Sequence, residues 1–155
     1  MVRELDENYM RYALSLAQKA YEKDEVPIGA VVVANDGTII GRGYNTVEHD
    51  YTQRSHAETK ALAQAGKKLK DWRLDGCILY VTVQPCLMCV GLIYLSRIER
   101  LVYGAESPLF GYPLDNLSAP DLYKKHIKGI TSGILAYEAQ TILKDFFKKK
   151  RKHGE

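Results

Sequence analysis

Cysteine is scarce in this chain, because only three of its 155 residues are cysteines. An odd count fits poorly with the disulfide framework of a small secreted protein. No apolar run reaches the roughly 18 residues that a membrane-spanning helix needs. The charged segment from Arg3 to Glu7 also lacks the apolar core of a signal peptide. We therefore expect a protein of a reducing, cytoplasmic compartment with no membrane partner.

Net charge is small as well. The formal value of +3 at pH 7 does not by itself indicate a nucleic-acid-binding protein, but the charge is unevenly distributed. Residues 148–152 read Lys-Lys-Lys-Arg-Lys and directly follow Phe146 and Phe147. Hydrophobic residues at 46% and charged residues at 26% are ordinary for a globular protein. The length predicts one domain over residues 1–155, ending in a basic tail at 148–155.

Helical and strand patterns alternate along the chain. Apolar periodicity predicts helices over residues 6–23, 56–66, 85–96 and 134–150. Runs rich in branched residues predict strands over residues 28–34, 38–44, 77–83, 100–104 and 127–131. Asp6 is predicted to cap the first helix and Gly66 to end the second, while residues 45–55 and 107–117 are predicted loops. The turn Asn35-Asp36-Gly37 joins the first two strands as a hairpin. This order predicts an α/β fold, with a mixed five-stranded sheet covered by helices on both faces.

Two short motifs bring together residues that suit a catalytic metal. His56-Ala57-Glu58 and Pro85-Cys86-Leu87-Met88-Cys89 supply one imidazole, two thiols and one carboxylate. Three protein ligands leave a fourth position of zinc open for water. Both motifs open predicted helices, and Cys86 and Cys89 at i, i+3 share one helix face, where the helix dipole favours thiolates. We predict that His56, Cys86 and Cys89 bind one Zn²⁺, while Glu58 acts as a general acid and base.

Other interpretations of these residues remain open but are weaker. A Cys-x-x-Cys pair also occurs in redox proteins, although the preceding Pro85 and the His-x-Glu motif disfavour that reading. A structural zinc site would need a fourth ligand, for which His49 is the nearest candidate. Cys77 lies in an apolar strand, so we expect it to pack in the core.

The pattern H-x-E…P-C-x-x-C resembles the signature of the zinc nucleobase deaminases. It implies hydrolytic deamination, in which Glu58 takes a proton from water and delivers it to the ring nitrogen beside the attacked carbon, and ammonia leaves. Backbone around Ala57 and Pro85 is expected to line the pocket.

Nearly the whole chain resembles the enzymes of the cytidine deaminase fold, and within them the bacterial tRNA adenosine deaminases. Val26-Pro27-Ile28-Gly29-Ala30-Val31, for example, is similar to the family's V-P-V-G-A-V strand. Further similar segments are residues 41–45, 71–74, 79–83, 96–98, 133–136 and 145–147. The resemblance implies a single-domain, three-layer α/β/α fold with one Zn²⁺ per subunit.

The same resemblance implies a substrate and its contacts. The substrate would be the wobble adenosine of a tRNA anticodon stem-loop, converted to inosine by a homodimer whose RNA-binding surface draws on both subunits. Asn45 would hydrogen-bond the flipped adenine, with Ile28 and Ala57 lining its pocket. The basic tail suits phosphate contact and base stacking, so RNA-binding residues are predicted at Phe147, Lys150 and Arg151.

Three segments depart from the family pattern. Gln84 stands where the family usually carries Glu, and residues 49–55 read H-D-Y-T-Q-R-S where the family has H-D-P-T-A. Residues 105–111 lack the Gly-rich A-x-D-x-K-x-G-A-x-G-S run and are about three residues shorter. This shorter loop supports an alternative function, a free-base or nucleoside deaminase acting on cytosine or guanine, whereas the basic tail favours RNA. A catalytically silent binding module is a third hypothesis, which the intact motif residues oppose.

Overall fold

A mixed sheet of five strands organises the chain. In a computed structural model that describes residues 2–112 and 124–153, the strands are β1 (Gly29–Val33), β2 (Ile39–Tyr44), β3 (Ile78–Val83), β4 (Arg100–Ala105) and β5 (Gly129–Thr131). Their order across the sheet is β2-β1-β3-β4-β5. Strand β1 runs antiparallel to both β2 and β3, whereas β4 runs parallel to β3 and to β5. The predicted mixed five-stranded sheet is confirmed.

Helices cover both faces of this sheet. They are α1 (Val2–Glu22), α2 (Val47–Asp50), α3 (Ala57–Leu69), α4 (Leu87–Leu95) and α5 (Ala136–Lys152). Helices α1 and α5 pack on one face, and α3 and α4 pack on the other. The predicted three-layer α/β/α architecture is therefore also confirmed. No helix in residues 2–112 and 124–153 is long and apolar enough to cross a membrane.

The strand side chains alternate between two apolar cores. Val31, Tyr80 and Val102 lie side by side on neighbouring strands and point toward α1. Leu79 and Leu101 pair in the next row and point toward α3 and α4. Because both faces are covered, these strands are apolar along almost their whole length, as is typical of sheets between helix layers.

Helix α3 lies unusually close to β2, and two glycines make this possible. A Cβ atom at Gly43 would stand 2.4 Å from the carbonyl oxygen of Ala57, and one at Gly41 would stand 2.1 Å from that of Ala61. Both distances are far below van der Waals contact, so any side chain here would push α3 off the sheet. The glycines thereby fix the start of α3, where His56 precedes the helix.

Three predicted boundaries were wrong. Helix α1 begins at Val2, and Asp6 is not its cap, because the buried Asp6 carboxylate instead accepts hydrogen bonds from Arg100 (2.6 and 2.9 Å) and from the Tyr80 hydroxyl (2.8 Å). Helix α3 continues past Gly66 to Leu69, since Lys70 adopts the left-handed conformation that ends it (φ 56°). The predicted loop 45–55 contains the short helix α2. The predicted loop 107–117 lies outside the described residues from position 113 onward.

Candidate metal centre and active site

Two helix N-termini converge at one edge of the sheet, as the sequence predicted. His56 is the residue that precedes α3, and Cys86 is the residue that precedes α4, both with extended backbone. His56 Nδ1 lies 3.4 Å from Cys89 Sγ and 3.7 Å from Cys86 Sγ. The three donor atoms all lie within 4.8 Å of one another, and so could hold one metal ion.

The spacing of these donors suits zinc. Bond lengths of about 2.3 Å to sulfur and about 2.05 Å to nitrogen place tetrahedral zinc ligands roughly 3.6 Å apart. The distances of 3.4 and 3.7 Å between the imidazole nitrogen and the two sulfurs bracket that value. One imidazole and two thiols also form a borderline-soft set, which oxygen-preferring cations such as Mg²⁺ or Ca²⁺ do not favour.

The cluster readily yields a thiolate. A hydrogen bond from Cys89, supported by one from His56, lowers the pKa of Cys86 to about 4. Hydrogen bonding to Cys86 raises the pKa of His56, and together with burial it raises the pKa of the Cys89 thiol. Cys86 is therefore the thiol that ionises first, and a metal ion that binds Cys89 as well would displace the proton of that thiol.

Glu58 lies in the first turn of α3 and is only 4% exposed. Burial raises the pKa of its carboxyl group to about 7, and its side chain hydrogen-bonds with Cys89. A carboxyl group with a pKa near neutrality can both accept and release a proton at the pH of the cell. The structure thus places a carboxyl group of near-neutral pKa next to Cys89, one of the three clustered residues.

Gln53 is a neighbour of the cluster that the sequence analysis missed. Its Oε1 atom lies 3.0 Å from His56 Nε2, so the Nε2–H group donates to Gln53, and Nδ1 is the ring nitrogen that faces the sulfurs. A metal-binding histidine usually donates its other N–H to such an acceptor. A search of the loop before His56 for an acceptor would have found Gln53, although nothing in the motif specifies its position.

The loop that leads to His56 is held by a polar network. Asp50 Oδ2 accepts hydrogen bonds from the Thr46 hydroxyl (2.6 Å) and the Ser55 hydroxyl (2.7 Å). These bonds lower the pKa of Asp50, Ser55 contributing more than Thr46. Lys60 Nζ lies 3.7 Å from the same carboxylate oxygen. These hydrogen bonds therefore hold the two ends of the loop together just before His56.

Glu25 is a second missed residue, and it settles the position of His49. The buried Glu25 carboxylate accepts the backbone N–H groups of Glu48 (3.1 Å) and His49 (2.8 Å), and it lies 2.5 Å from His49 Nδ1. His49 is thus paired with Glu25 and is not among the clustered donors found in the described residues. The alternative of a structural zinc with His49 as fourth ligand has no support in this geometry.

Two of the four predicted substrate-pocket residues adjoin the cluster. Ala57 and Pro85 are buried and directly flank His56 and Cys86 in the chain. Asn45 is buried, its backbone N–H donates to Ile28 O (3.1 Å), and its side-chain nitrogen donates to Val26 O (3.3 Å). Cys77, in contrast, is buried away from the cluster, as expected for a core residue.

The predicted RNA-binding residues lie on α5, which extends through Lys152. Phe147 and Arg151 are exposed, whereas Lys150 Nζ lies 2.7 Å from Asp24 Oδ2. Phe147 and Lys150 border a groove of about 460 Å³ whose opposite wall includes Val26 and His49. The groove therefore connects α5 with the segment that holds Asn45.

A helix-covered mixed sheet with a His/Cys/Cys cluster at two helix N-termini is the arrangement of deaminases of the cytidine deaminase-like fold. A family profile for MafB19-like deaminases matches residues 4–151. The chain belongs to this deaminase family.

Individual relatives narrow the comparison. A tRNA-specific adenosine deaminase of Bacillus subtilis is 44% identical over 149 residues, which are 95% of this chain and 91% of the relative. A solved structure from a study of A-to-I editing by tRNA:A34 deaminases is 39% identical with a TM-score of 0.80, covering 88% of this chain and 99% of the other. A guanine deaminase of Nitrosomonas europaea is 27% identical with a TM-score of 0.77, covering 90% and 83%. The resemblance to tRNA adenosine deaminases that the motifs predicted is confirmed.

Proposed function

We propose that this chain is a zinc-dependent hydrolase that converts the wobble adenosine of a tRNA anticodon loop to inosine. The single observation that carries this proposal is the 44% identity to a tRNA-specific adenosine deaminase over 95% of the chain. The clustered donors of His56, Cys86 and Cys89, with Glu58 beside them, supply the chemistry that such a reaction needs.

In the proposed mechanism, His56, Cys86 and Cys89 hold one Zn²⁺ per subunit. Held there, the ion would supply the Lewis acidity that lowers the pKa of a water molecule. Glu58 accepts one proton of the attacking water and passes it to the ring nitrogen, while the water oxygen bonds to the neighbouring carbon. Glu58 then carries the second proton of the same water from that oxygen to the exocyclic amine, so the C–N bond breaks, ammonia leaves and the oxygen becomes the carbonyl of inosine. Its pKa of about 7 suits both directions of transfer.

Asn45 is proposed to orient the adenine in the pocket. Its amide nitrogen already donates to Val26 O, so the amide oxygen is the end that can accept a hydrogen bond from the base. Ile28, Ala57 and Pro85 supply apolar walls around the ring. An apolar pocket with one fixed polar contact is the usual design of a site for a flat heterocycle.

The RNA around the target base is proposed to contact α5. Phe147 offers an exposed ring for stacking, and Lys150 and Arg151 offer positive charge. Phe147 and Lys150 line a groove of about 460 Å³ together with Val26 and His49, and this groove is the proposed path of the RNA. A tRNA substrate also places the protein in the cytoplasm.

A homodimer is proposed on the basis of α4. Leu87, Met88 and Leu95 are exposed on this short helix, and a Cβ atom at Gly91 would meet nothing within 4 Å. Leu87, Gly91 and Leu95 repeat every four residues and so form one apolar stripe, beginning next to Cys86. An uncovered stripe of this kind suits a second copy of the chain, which would then border the metal centre.

A guanine or other free-base deaminase is the second candidate function. The similarity to a guanine deaminase supports it, as does the absence of Lys and Arg from residues 105–111, the shortened loop. The tail at 148–152 opposes it, because a small-molecule enzyme has no need of five consecutive cations there.

One assay separates the two candidates. Zinc-loaded protein is incubated with an anticodon stem-loop carrying a wobble adenosine, with a matched stem-loop carrying guanosine at that position, and with free adenine, cytosine and guanine. We expect inosine in the first RNA and no reaction with the free bases. Ammonia released from a free base, with the adenosine stem-loop unchanged, would contradict the tRNA assignment and establish the second candidate.

A further inference from the structure

The loop after β4, residues 106–112, emerges beside the metal centre. Strands β3 and β4 are parallel neighbours, and Val83 at the end of β3 pairs with Ala105 at the end of β4. The chain therefore leaves both strands at the same edge of the sheet. After β3 it reaches Cys86, and after β4 it enters this loop, which we call the β4 loop.

Both ends of the β4 loop are tied to the two residues that precede Cys86. Gln84 Oε1 accepts the backbone N–H of Ser107 (3.2 Å), and the backbone N–H of Tyr112 donates to Pro85 O (2.9 Å). A further hydrogen bond, from Gly111 N to Ser107 O (2.9 Å), closes the turn. A Cβ atom at Gly111 would stand 2.6 Å from the backbone oxygen of Ser107 and 2.2 Å from Gln84 Oε1, so a side chain here would disturb both the turn and its anchor. The loop is thus fastened at its base.

The tip of the β4 loop is apolar and faces solvent. Leu109 is 86% exposed and Phe110 is 76% exposed. The loop contains one charged residue, Glu106, and the sequence has no Lys or Arg anywhere between Arg100 and Lys124. This part of the chain therefore has no cation with which to hold a phosphate. What it can offer to an RNA is the flat face of an aromatic ring.

The tip also lies close to the segment that carries Cys86. Consecutive Cα atoms are about 3.8 Å apart, so the Phe110 Cα lies at most about 7.6 Å from that of Tyr112. Tyr112 is hydrogen-bonded to Pro85, the residue before the ligand Cys86. A nucleotide next to a base held in the pocket would pass close to Phe110.

We propose that Phe110 is a stacking platform for a nucleotide that flanks the target adenosine in the anticodon loop. The β4 loop then binds RNA through base stacking, while positive charge is supplied elsewhere, on α5. This inference rests on the proposed function, because it requires an RNA substrate. It assigns a specific substrate contact to a loop that differs in length and composition from the family pattern.

The test compares Phe110→Ala with Phe110→Trp and with the matched control Tyr137→Ala. Tyr137 is similarly exposed (78%) but lies in the first turn of α5, at the opposite end of that helix from its proposed RNA contacts. Affinity for the wobble-adenosine stem-loop is measured at about 50 and about 200 mM salt. We expect Phe110→Ala to weaken binding about tenfold by the same factor at both salt concentrations, because stacking releases no counterions. Phe110→Trp should retain the affinity, and Tyr137→Ala should not change it.

A second readout locates the contact. With 2-aminopurine placed on either side of the target adenosine, binding of the unsubstituted protein should quench the fluorescence at one of the two positions, and Phe110→Ala should abolish that quenching. Unchanged affinity and quenching in Phe110→Ala, with normal inosine formation, would overturn the stacking inference and leave the proposed function intact. Dissociation of a dimer by Phe110→Ala would assign the residue to a subunit contact and also overturn the inference. Failure of the unsubstituted protein to bind the stem-loop would overturn both proposals.

Discussion

Two loops flank the metal centre, and they are built in opposite ways. The loop before α3, residues 45–55, is polar and held by hydrogen bonds. Asp50 accepts them from Thr46 and Ser55, and Glu25 accepts others from the backbone of α2. The β4 loop is hydrogen-bonded at its base to Gln84 and Pro85 and exposes an apolar tip.

This difference indicates a division of labour. The first loop ends at His56, so every hydrogen bond within it helps to set the position of a ligand atom. The β4 loop carries no residue of the cluster, so its tip can change without moving the donor atoms. Substitutions in the loop before α3 should therefore affect the reaction with any substrate. Substitutions at the tip of the β4 loop should affect only substrates large enough to reach that tip.

The largest effect is expected at Glu58. Glu58→Ala should lower turnover by about 10²- to 10⁴-fold on the stem-loop, because it removes the proton carrier. The three donor residues are unchanged, so the zinc content measured by atomic absorption and the circular dichroism spectrum should stay near those of the parent. Glu58→Gln preserves the size of the side chain and should be similarly inactive. Near-normal rates in either variant would refute the mechanism.

Gln53 tests whether the first loop sets the metal site. Gln53→Ala removes the acceptor of the His56 Nε2–H group and should weaken zinc binding about 10- to 100-fold in competition with a chelator. Arg54→Ala is the matched control, since Arg54 is the exposed neighbour. When zinc is in excess, the activity of Gln53→Ala should recover to the same extent on every substrate. An affinity equal to that of the Arg54→Ala control would show that the contact does not position the histidine.

The smallest of these effects is expected from the basic tail. Truncation after Phe147 removes five consecutive cations, so it should weaken stem-loop binding at low salt and flatten the dependence of affinity on salt. Zinc content should not change. Arg151→Gln removes one cation without shortening α5. It should reduce the slope of log affinity against log salt concentration by about one. An unaltered salt dependence in both variants would mean that the tail does not contact RNA.

The sequence predicted the elements that follow a regular hydrophobic pattern or carry a recognisable motif. Alternation and helical periodicity predicted the five strands and four long helices, and the two short motifs predicted which donor atoms meet. It missed contacts made between segments distant in the chain. The pairing of Asp6 with Arg100 and that of Glu25 with His49 depend on how helices and loops pack, and no local pattern encodes them.

The boundary errors have the same origin. Asp6 resembles a helix cap because short acidic side chains favour that position, but it is a buried internal residue of α1 that pairs with Arg100 on β4. Gly66 resembles a helix end, yet the left-handed residue that ends α3 is Lys70. In both cases a tertiary or backbone requirement outweighed the local preference.

The central claim is that one metal centre, built at two helix N-termini, deaminates an adenosine presented by RNA. Its most direct test is mass spectrometry of the wobble nucleotide after incubation of the stem-loop with the zinc-loaded protein, with ammonia measured in the same reaction. The account predicts one inosine and one ammonia per stem-loop, with neither formed by Glu58→Ala. Adenosine left intact by the zinc-loaded protein, under conditions in which it binds the stem-loop, would contradict the account.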